Sequence, residues 1–334
     1  MATKLIEGFD VYPTVAGVLG VESRWVIDSV TGLALVSGRF GGQALRGTSG
    51  AISTALDAGP TQEGAIGLAV QVQSVSGLSR FLTLADESNV PQLTLAIDAL
   101  GRILVYRGTT SGTFLATTPV AMTVGVWYYI EVEFRIDNPS GFARVFINGA
   151  QLINFTGVTQ AIVGTNTVGR VGLFGGSAQV SIDDVYGKSI ATRLGESRIE
   201  TLMPNADSAV AFTPNAGGNN YSRVSEPLVD GDTTYVYSST VGAEDLYDLT
   251  DMTSIPEQIH AVQTRVVARK DDAATRALKV ALKSGASATV YGSDFFLSSS
   301  YVTKTDIYDA DPATAAAWTK AGIDALKIGQ KITV

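Results

Sequence analysis

Val126-Trp127-Tyr128-Tyr129-Ile130-Glu131-Val132-Glu133-Phe134-Arg135-Ile136-Asp137 alternates strictly: Val126, Tyr128, Ile130, Val132, Phe134 and Ile136 form one set, the intervening residues the other. Successive side chains of a strand point to opposite faces, so one set reads as core and the other as a mixed aromatic and charged surface. Downstream, Phe142–Ile147 and Ala150–Phe155 alternate again around Asn148-Gly149. Asn-Gly between apolar alternations favours a type I′ turn, because both central residues need positive φ. These segments predict a strand followed by a tight hairpin.

The same texture extends in both directions. Ala65–Gln73, Arg80–Asp86, Gln92–Ile97, Arg102–Arg107, Val168–Phe174 and Gln179–Tyr186 are further strand candidates, separated by Gly-rich turns. About ten short antiparallel strands in ~190 residues suit two packed sheets with one shared core, a jelly-roll-like sandwich. Past Tyr186 the alternation stops, so residues 1–190 form one expected domain, 191–197 a linker and 198–334 a second module. Pro204, Pro214, Pro227 and Pro256 punctuate that module, and Asn215-Ala216-Gly217-Gly218-Asn219-Asn220 signals a loop. Strands are expected at Thr233–Ser238, Ile259–Lys270, Arg276–Lys283 and Ala325–Thr333. A hairpin across Asp271–Ala274 is favoured, and a helix from Asp272 to Gly285 is the competing assignment. Asp311-Pro312 ahead of Ala313–Trp318 predicts one short helix, with Asp as N-cap and Pro at the first helical position. The expected fold class is all-β: a jelly-roll sandwich plus a smaller β-rich domain with one short helix.

The chain has 334 residues, 45% hydrophobic and 17% charged, with one His, no Cys and a formal net charge of −8. That length suits two domains, each able to bury a core without staples. The lack of cysteine excludes disulfides, thiolate metal sites and a cysteine nucleophile. Nucleic acid is not expected as a partner, because phosphate-tracking surfaces need Lys and Arg gathered in a stripe. Met1–Gly8 lacks the apolar core of a signal peptide, and no 18-residue apolar run occurs. Synthesis in the cytosol without membrane insertion is the expectation.

Residue type and spacing decide which catalytic constellations the chain can hold. His260 is the only imidazole, so any Ser-His-Asp mechanism must use it, and it falls within the expected strand Ile259–Lys270. No Gly-x-Ser-x-Gly elbow occurs. Gly187-Lys188-Ser189 ends like a phosphate loop, but Ile182 stands where the leading Gly is needed. Glu131 and Glu133 share a strand face at ~6.5–7 Å between Cα atoms, which permits the paired carboxylates of a glycoside hydrolase. Asp183-Asp184 points its carboxylates to opposite faces of a regular strand. Asp306, Asp309, Asp311, Glu244, Asp245, Asp248 and Asp251 supply oxygen ligands but lack the spacing of a calcium loop, so no metal or other cofactor is expected. Trp127 and Tyr129 beside Glu131 and Glu133 combine stacking rings with hydroxyl-binding carboxylates, the components of a glycan-binding face.

Val124-Gly125-Val126-Trp127-Tyr128-Tyr129, then Val145-Phe146-Ile147-Asn148-Gly149, then Val180-Ser181-Ile182-Asp183-Asp184-Val185-Tyr186 resembles the concanavalin A-like or laminin G-like jelly roll over residues 5–187. That resemblance implies a fold that hosts lectins, glucanases and structural modules alike. The glucanase strand motif is not reproduced, since Phe134 and Arg135 follow Glu131-Val132-Glu133. Residues 198–330 resemble modules of tailed-bacteriophage virion proteins at Asp230-Gly231-Asp232-Thr233-Thr234-Tyr235-Val236, at Val266-Val267-Ala268-Arg269-Lys270, and at Ala317-Trp318-Thr319 before Leu326-Lys327-Ile328-Gly329. The resemblance implies a non-enzymatic virion structural protein, a tail fibre or tip or a capsid decoration. Its implied partners are other virion proteins, further copies as a homotrimer or other homo-oligomer, and host-surface carbohydrate. The alternatives are a lectin-like adhesin using Trp127, Tyr129, Glu131 and Glu133, and a glycoside hydrolase using Glu131 and Glu133.

Overall fold

The computed structural model describes residues 2–12, 14, 15, 24–29, 31–57, 59–227 and 229–334. They fall into two compact units, one of the described residues among 2–10, 14, 15 and 24–199, the other of 11, 12 and those among 200–334. The first unit carries strands β1 Thr3–Glu7, β2 Val26–Ser29, β3 Leu33–Ser37, β4 Gln43–Gly47, β5 Ala51–Ala55, β6 Glu63–Val72, β7 Ser79–Ala85, β8 Pro91–Ile97, β9 Ile103–Arg107, β10 Thr113–Thr117, β11 Trp127–Arg135, β12 Gly141–Ile147, β13 Ala150–Gly157, β14 Arg170–Phe174 and β15 Val180–Lys188. One sheet runs β13-β12-β11-β6-β15-β4-β3, with β1 on β15, and the other runs β10-β9-β8-β7-β14-β5-β2. Among the described residues all pairings between these strands are antiparallel, and this is the expected β-sandwich.

Register explains which side of β11 is core. Ile130 pairs with Leu68 and Ile147, Val132 with Ile66 and Val145, and Phe134 with Ala143. Ile130, Val132, Phe134, Ile66, Leu68 and Val145 are all fully buried. At the β12–β13 turn, Asn148 has φ 47° and Gly149 φ 81°, the backbone that Asn-Gly predicts. Asn148 also donates its N–H to the Tyr129 carbonyl and accepts the Tyr129 N–H on Oδ1, both at 2.8 Å, which ties the turn to the start of β11.

The second unit has β16 Pro204–Ala209, β17 Thr213–Pro214, β18 Val236–Tyr237, β19 Glu244–Leu249, β20 Val262–Ala268, β21 Ala277–Ser284, β22 Val290–Tyr291, β23 Phe295–Phe296, β24 Val302–Tyr308, helix α1 Lys320–Asp324 and β25 Leu326–Ile332. Its main sheet runs β16-β19-β25-β21-β22 with β23 on β21, and β17–β18 and β20–β24 are separate two-stranded sheets.

Two local expectations change here. β20 and β21 are strands, but they do not pair as a hairpin: β20 pairs with β24 and β21 with β25. The buried Leu278, Val280 and Leu282 seat β21 in the main sheet, whereas only Thr264 of β20 is buried. The short helix lies later than Asp311-Pro312 suggests. Residues 311–316 form a single turn closed by Ala315 N–H to the Asp311 carbonyl at 2.7 Å, and Ala315 leaves at φ 57°, which ends helical propagation. Thr319 is the N-cap, its hydroxyl accepting the Gly322 N–H at 3.1 Å. His260 lies just outside β20 and is half-buried.

Candidate functional site

Trp127, Tyr129, Glu131 and Glu133 do share the outer face of β11. Across the sheet Glu131 pairs with Gly67 on β6 and Gly67 with Tyr186 on β15, while Tyr129 pairs with Ala69 and Glu133 with Ala65. The small residues of β6 leave room for large rings on this face. A Cβ at Gly67 would lie 2.0 Å from a Tyr186 ring carbon, so only glycine lets that ring lie there. Tyr186 and Tyr129 stack with centroids 6.5 Å apart and planes 18° from parallel.

The face is covered by the chain that follows β15. Arg193 places NH1 3.0 Å from Glu131 Oε2. Glu131 Oε1 accepts the Gly195 N–H at 2.8 Å and the Tyr186 hydroxyl at 2.6 Å, and the Leu194 N–H donates to that same hydroxyl oxygen at 2.9 Å. Arg193 also lies over the Phe146 ring at 4.5 Å, and Leu194 packs with Ala65, Ala69, Tyr129 and Tyr186, joined by half-buried Trp127. Glu133 pairs with Arg144 at 3.4 Å and accepts the Arg193 N–H at 3.3 Å. Residues 191–197 are thus bonded onto the sheet and belong to the first unit, where a linker was expected.

Only 1% of Tyr129 and 1% of Glu131 is exposed. The Tyr129 hydroxyl donates to the Asp184 carbonyl at 3.1 Å, and burial first, then the Asp184 charge, pushes that hydroxyl well above the usual phenol range. Burial and the Glu131 charge push the Tyr186 hydroxyl up as well. Two of the four residues expected to grip a sugar therefore present no surface to one, and Glu131 and Glu133 are tied to arginines. Sequence reading missed Arg193, because it stands 62 residues beyond Glu131 and nothing local connects them.

A second carboxylate group sits at the bulge of β15. Register shifts between Asp183 and Tyr186, and Asp184 adopts φ 49°. The bulge brings both carboxylates to Arg39, correcting the expectation of opposite faces: Asp183 Oδ2 accepts the Arg39 N–H at 2.8 Å, and Asp184 Oδ2 lies 3.6 Å from the guanidinium. Asp184 Oδ1 accepts the Ile199 N–H at 2.8 Å, and Arg39 also bonds Glu196 and the Ser197 carbonyl, so this cluster fastens the end of the same segment. Burial and the Asp184 charge raise Asp183 to about 7, and burial also raises Asp184 and Asp10.

In the second unit Asp245, Asp248, Glu244 and Asp306 are likewise engaged. Asp245 is fully buried and accepts four hydrogen bonds, from the N–H groups of Ala211 and Phe212 at 2.6 and 2.8 Å and from Asn220 and Tyr247 side chains at 2.7 Å each. Asp248 pairs with Lys327, Glu244 with Lys331 and Asp306 with Lys304. Among the described residues no group of three or more His, Cys, Asp or Glu could hold a metal ion. No helix among them is long and apolar enough to cross a membrane.

No family model matches the chain, and no curated protein matches it. Solved structures similar to it include a sialidase, at 13% identity and TM-score 0.42, covering 56% of this chain and 18% of the sialidase. Another is domain 4 of an extracellular arabinanase from Geobacillus stearothermophilus in complex with arabinotriose, at 16% identity and TM-score 0.42, covering 57% of this chain and 94% of that one. A third is a carbohydrate-binding module from Bacillus subtilis, at 9% identity and TM-score 0.35, covering 50% and 96%.

Proposed function

We propose that the chain is a non-enzymatic structural protein of a tailed-bacteriophage virion, a tail appendage or a capsid-surface decoration, that contacts host-surface carbohydrate. The observation that carries the non-enzymatic part is the engagement of Glu131 and Glu133. The paired carboxylates that a hydrolase would need are bonded to Arg193, Arg144, Tyr186 and Gly195, and so hold the chain together. The virion part rests on the second-unit resemblance, whose tryptophan is also structural: Trp318 is 4% exposed and donates to the Tyr308 carbonyl at 2.9 Å. Assembly as a homotrimer or other homo-oligomer belongs to the same proposal, because virion appendages are built from symmetric copies.

Immunogold labelling of purified parent particles with an antibody to the chain tests the reading. Gold at a fixed position on every particle is the expected result, and its absence from purified virions refutes the reading. Multi-angle light scattering at micromolar concentration tests the oligomer.

A further inference from the structure

Tyr235 and Tyr237 flank Val236 at the start of β18. Val236 packs into the cluster of Phe212, Ala243, Leu278 and Ile332, beside Ala268 and Phe295. Strand alternation then sends both tyrosines to the opposite side. They are 41% and 53% exposed, with ring centroids 6.1 Å apart and planes inclined by 55°.

The backbone beneath them is pinned. Asn215 donates its N–H to the Tyr235 carbonyl at 3.0 Å, accepts the Tyr235 N–H on Oδ1 at 3.2 Å, and donates Nδ2 to the Thr233 carbonyl at 2.9 Å. Three residues before Tyr235, Asp232 receives Arg269 Nε and NH2 at 3.1 and 2.9 Å and the Tyr301 hydroxyl at 2.6 Å, all on Oδ1. Its Oδ2 takes none of these bonds. Arg269 lies 5.6 Å over the Tyr301 ring, so the carboxylate and guanidinium are held in place before anything binds.

We propose that Tyr235 and Tyr237 form a saccharide-binding platform, with Asp232 and Arg269 as the hydrogen-bonding groups at its margin. Three features choose the ligand class. Exposed aromatic faces suit the apolar C–H face of a sugar ring. The carboxylate of Asp232, three residues before Tyr235, and the Arg269 guanidinium bonded to it offer acceptor and donor to its hydroxyls. The Arg269 charge is offset by Asp232, which disfavours phosphate or nucleic acid. A protein partner fits less well: two aromatic side chains supply at most ~500 Å² of contact, against ~800 Å² per partner in a stable protein interface. The proposal deepens the carbohydrate-contact part of the proposed function, rests on it, and assigns it to the second unit.

The test applies the full-length protein to an array of purified bacterial capsular and O-antigen polysaccharides, then measures affinity for the best-retained glycan by titration calorimetry. Tyr237→Ala and the Tyr235→Ala/Tyr237→Ala pair are expected to weaken binding at least tenfold. The Tyr235→Phe/Tyr237→Phe pair should stay within about threefold, since the rings remain, and Trp127→Ala should match the wild type. In the wild-type protein, saturating glycan should shield Tyr235 and Tyr237 from nitration, read by peptide mass spectrometry, which needs no variant to fold. Binding that survives the double alanine variant, is lost in Trp127→Ala, or leaves both tyrosines open to nitration overturns the platform while carbohydrate contact stands. An array that retains no glycan overturns both, and particle labelling then judges the virion reading separately.

Discussion

Arg193→Ala isolates the contact on which the outer face of the first unit depends. Removing one partner of a buried ion pair strands the other and costs about 3–5 kcal/mol. Here 31% of the Arg193 side chain is exposed, against 1% of Glu131, so the arginine was never fully desolvated. Glu131 also keeps its bonds from Tyr186 and Gly195. Both facts reduce the penalty, to about 2–3 kcal/mol, still above the ~0–1 kcal/mol of an exposed pair. Losing the packing of the guanidinium on Phe146 acts in the same direction. The assay is urea denaturation of the full chain, with the first-unit transition followed by native-state amide exchange in β6 and β11, because two units need not unfold in one step. A double-mutant cycle with Glu131→Gln should give a coupling of about 1–3 kcal/mol. A change within ~0.5 kcal/mol for Arg193→Ala, the range of ordinary surface substitutions, would refute the reasoning.

Gly67→Ala puts a methyl 2.0 Å from the Tyr186 ring, so the ring must move off Glu131; a loss of about 1–3 kcal/mol, typical of overpacking, should appear in the same titration, and a neutral result would show that the ring has room. The raised Asp183 carboxyl makes the folded first unit bind a proton more tightly than the unfolded chain. Its stability should therefore fall as pH rises from about 4 to about 7 and level off above, with Asp183 alone contributing at most about 4 kcal/mol and Asp10 and Asp184 acting in the same direction. Asp183→Asn should flatten that slope in denaturation curves at pH 5 and 8; a wild-type stability that rises over the same interval contradicts it. Asp245→Ala leaves two backbone N–H groups and the Asn220 and Tyr247 side chains without their acceptor, and should cost at least ~3 kcal/mol in the second unit. Unchanged amide exchange at Ala211 and Phe212 in that variant would count against the network.

The sandwich was legible because period-two alternation and the Asn148-Gly149 turn are local signals, each set by neighbours along the chain. The purpose of the β11 outer face was not. Trp127, Tyr129, Glu131 and Glu133 look like an open binding stripe until Arg193 and Leu194 are brought over them, and that closure depends on Glu131, Gly67 and Tyr186 meeting across three strands. The Asp183-Asp184 pair misled for a related reason, since a bulge with Asp184 at positive φ overrides simple alternation. In the second unit, β20 and β21 were visible as strands, but their partners β24 and β25 lie far along the chain, and local turn chemistry at Asp271–Ala274 said nothing of them. Tyr235 and Tyr237 had a readable signal, two aromatics around one valine in a short strand, but it was absorbed into the strand assignment.

Amide hydrogen exchange at Arg193, Leu194, Gly195 and Ile199 in the native full-length chain measures the closed face directly, since these N–H groups donate to Glu133, Tyr186, Glu131 and Asp184. Protection comparable to that of the β11 amides is the expected result, reduced selectively in Arg193→Ala. Exchange at the rate of an open loop would show a free segment and an accessible acidic face, and would contradict the account.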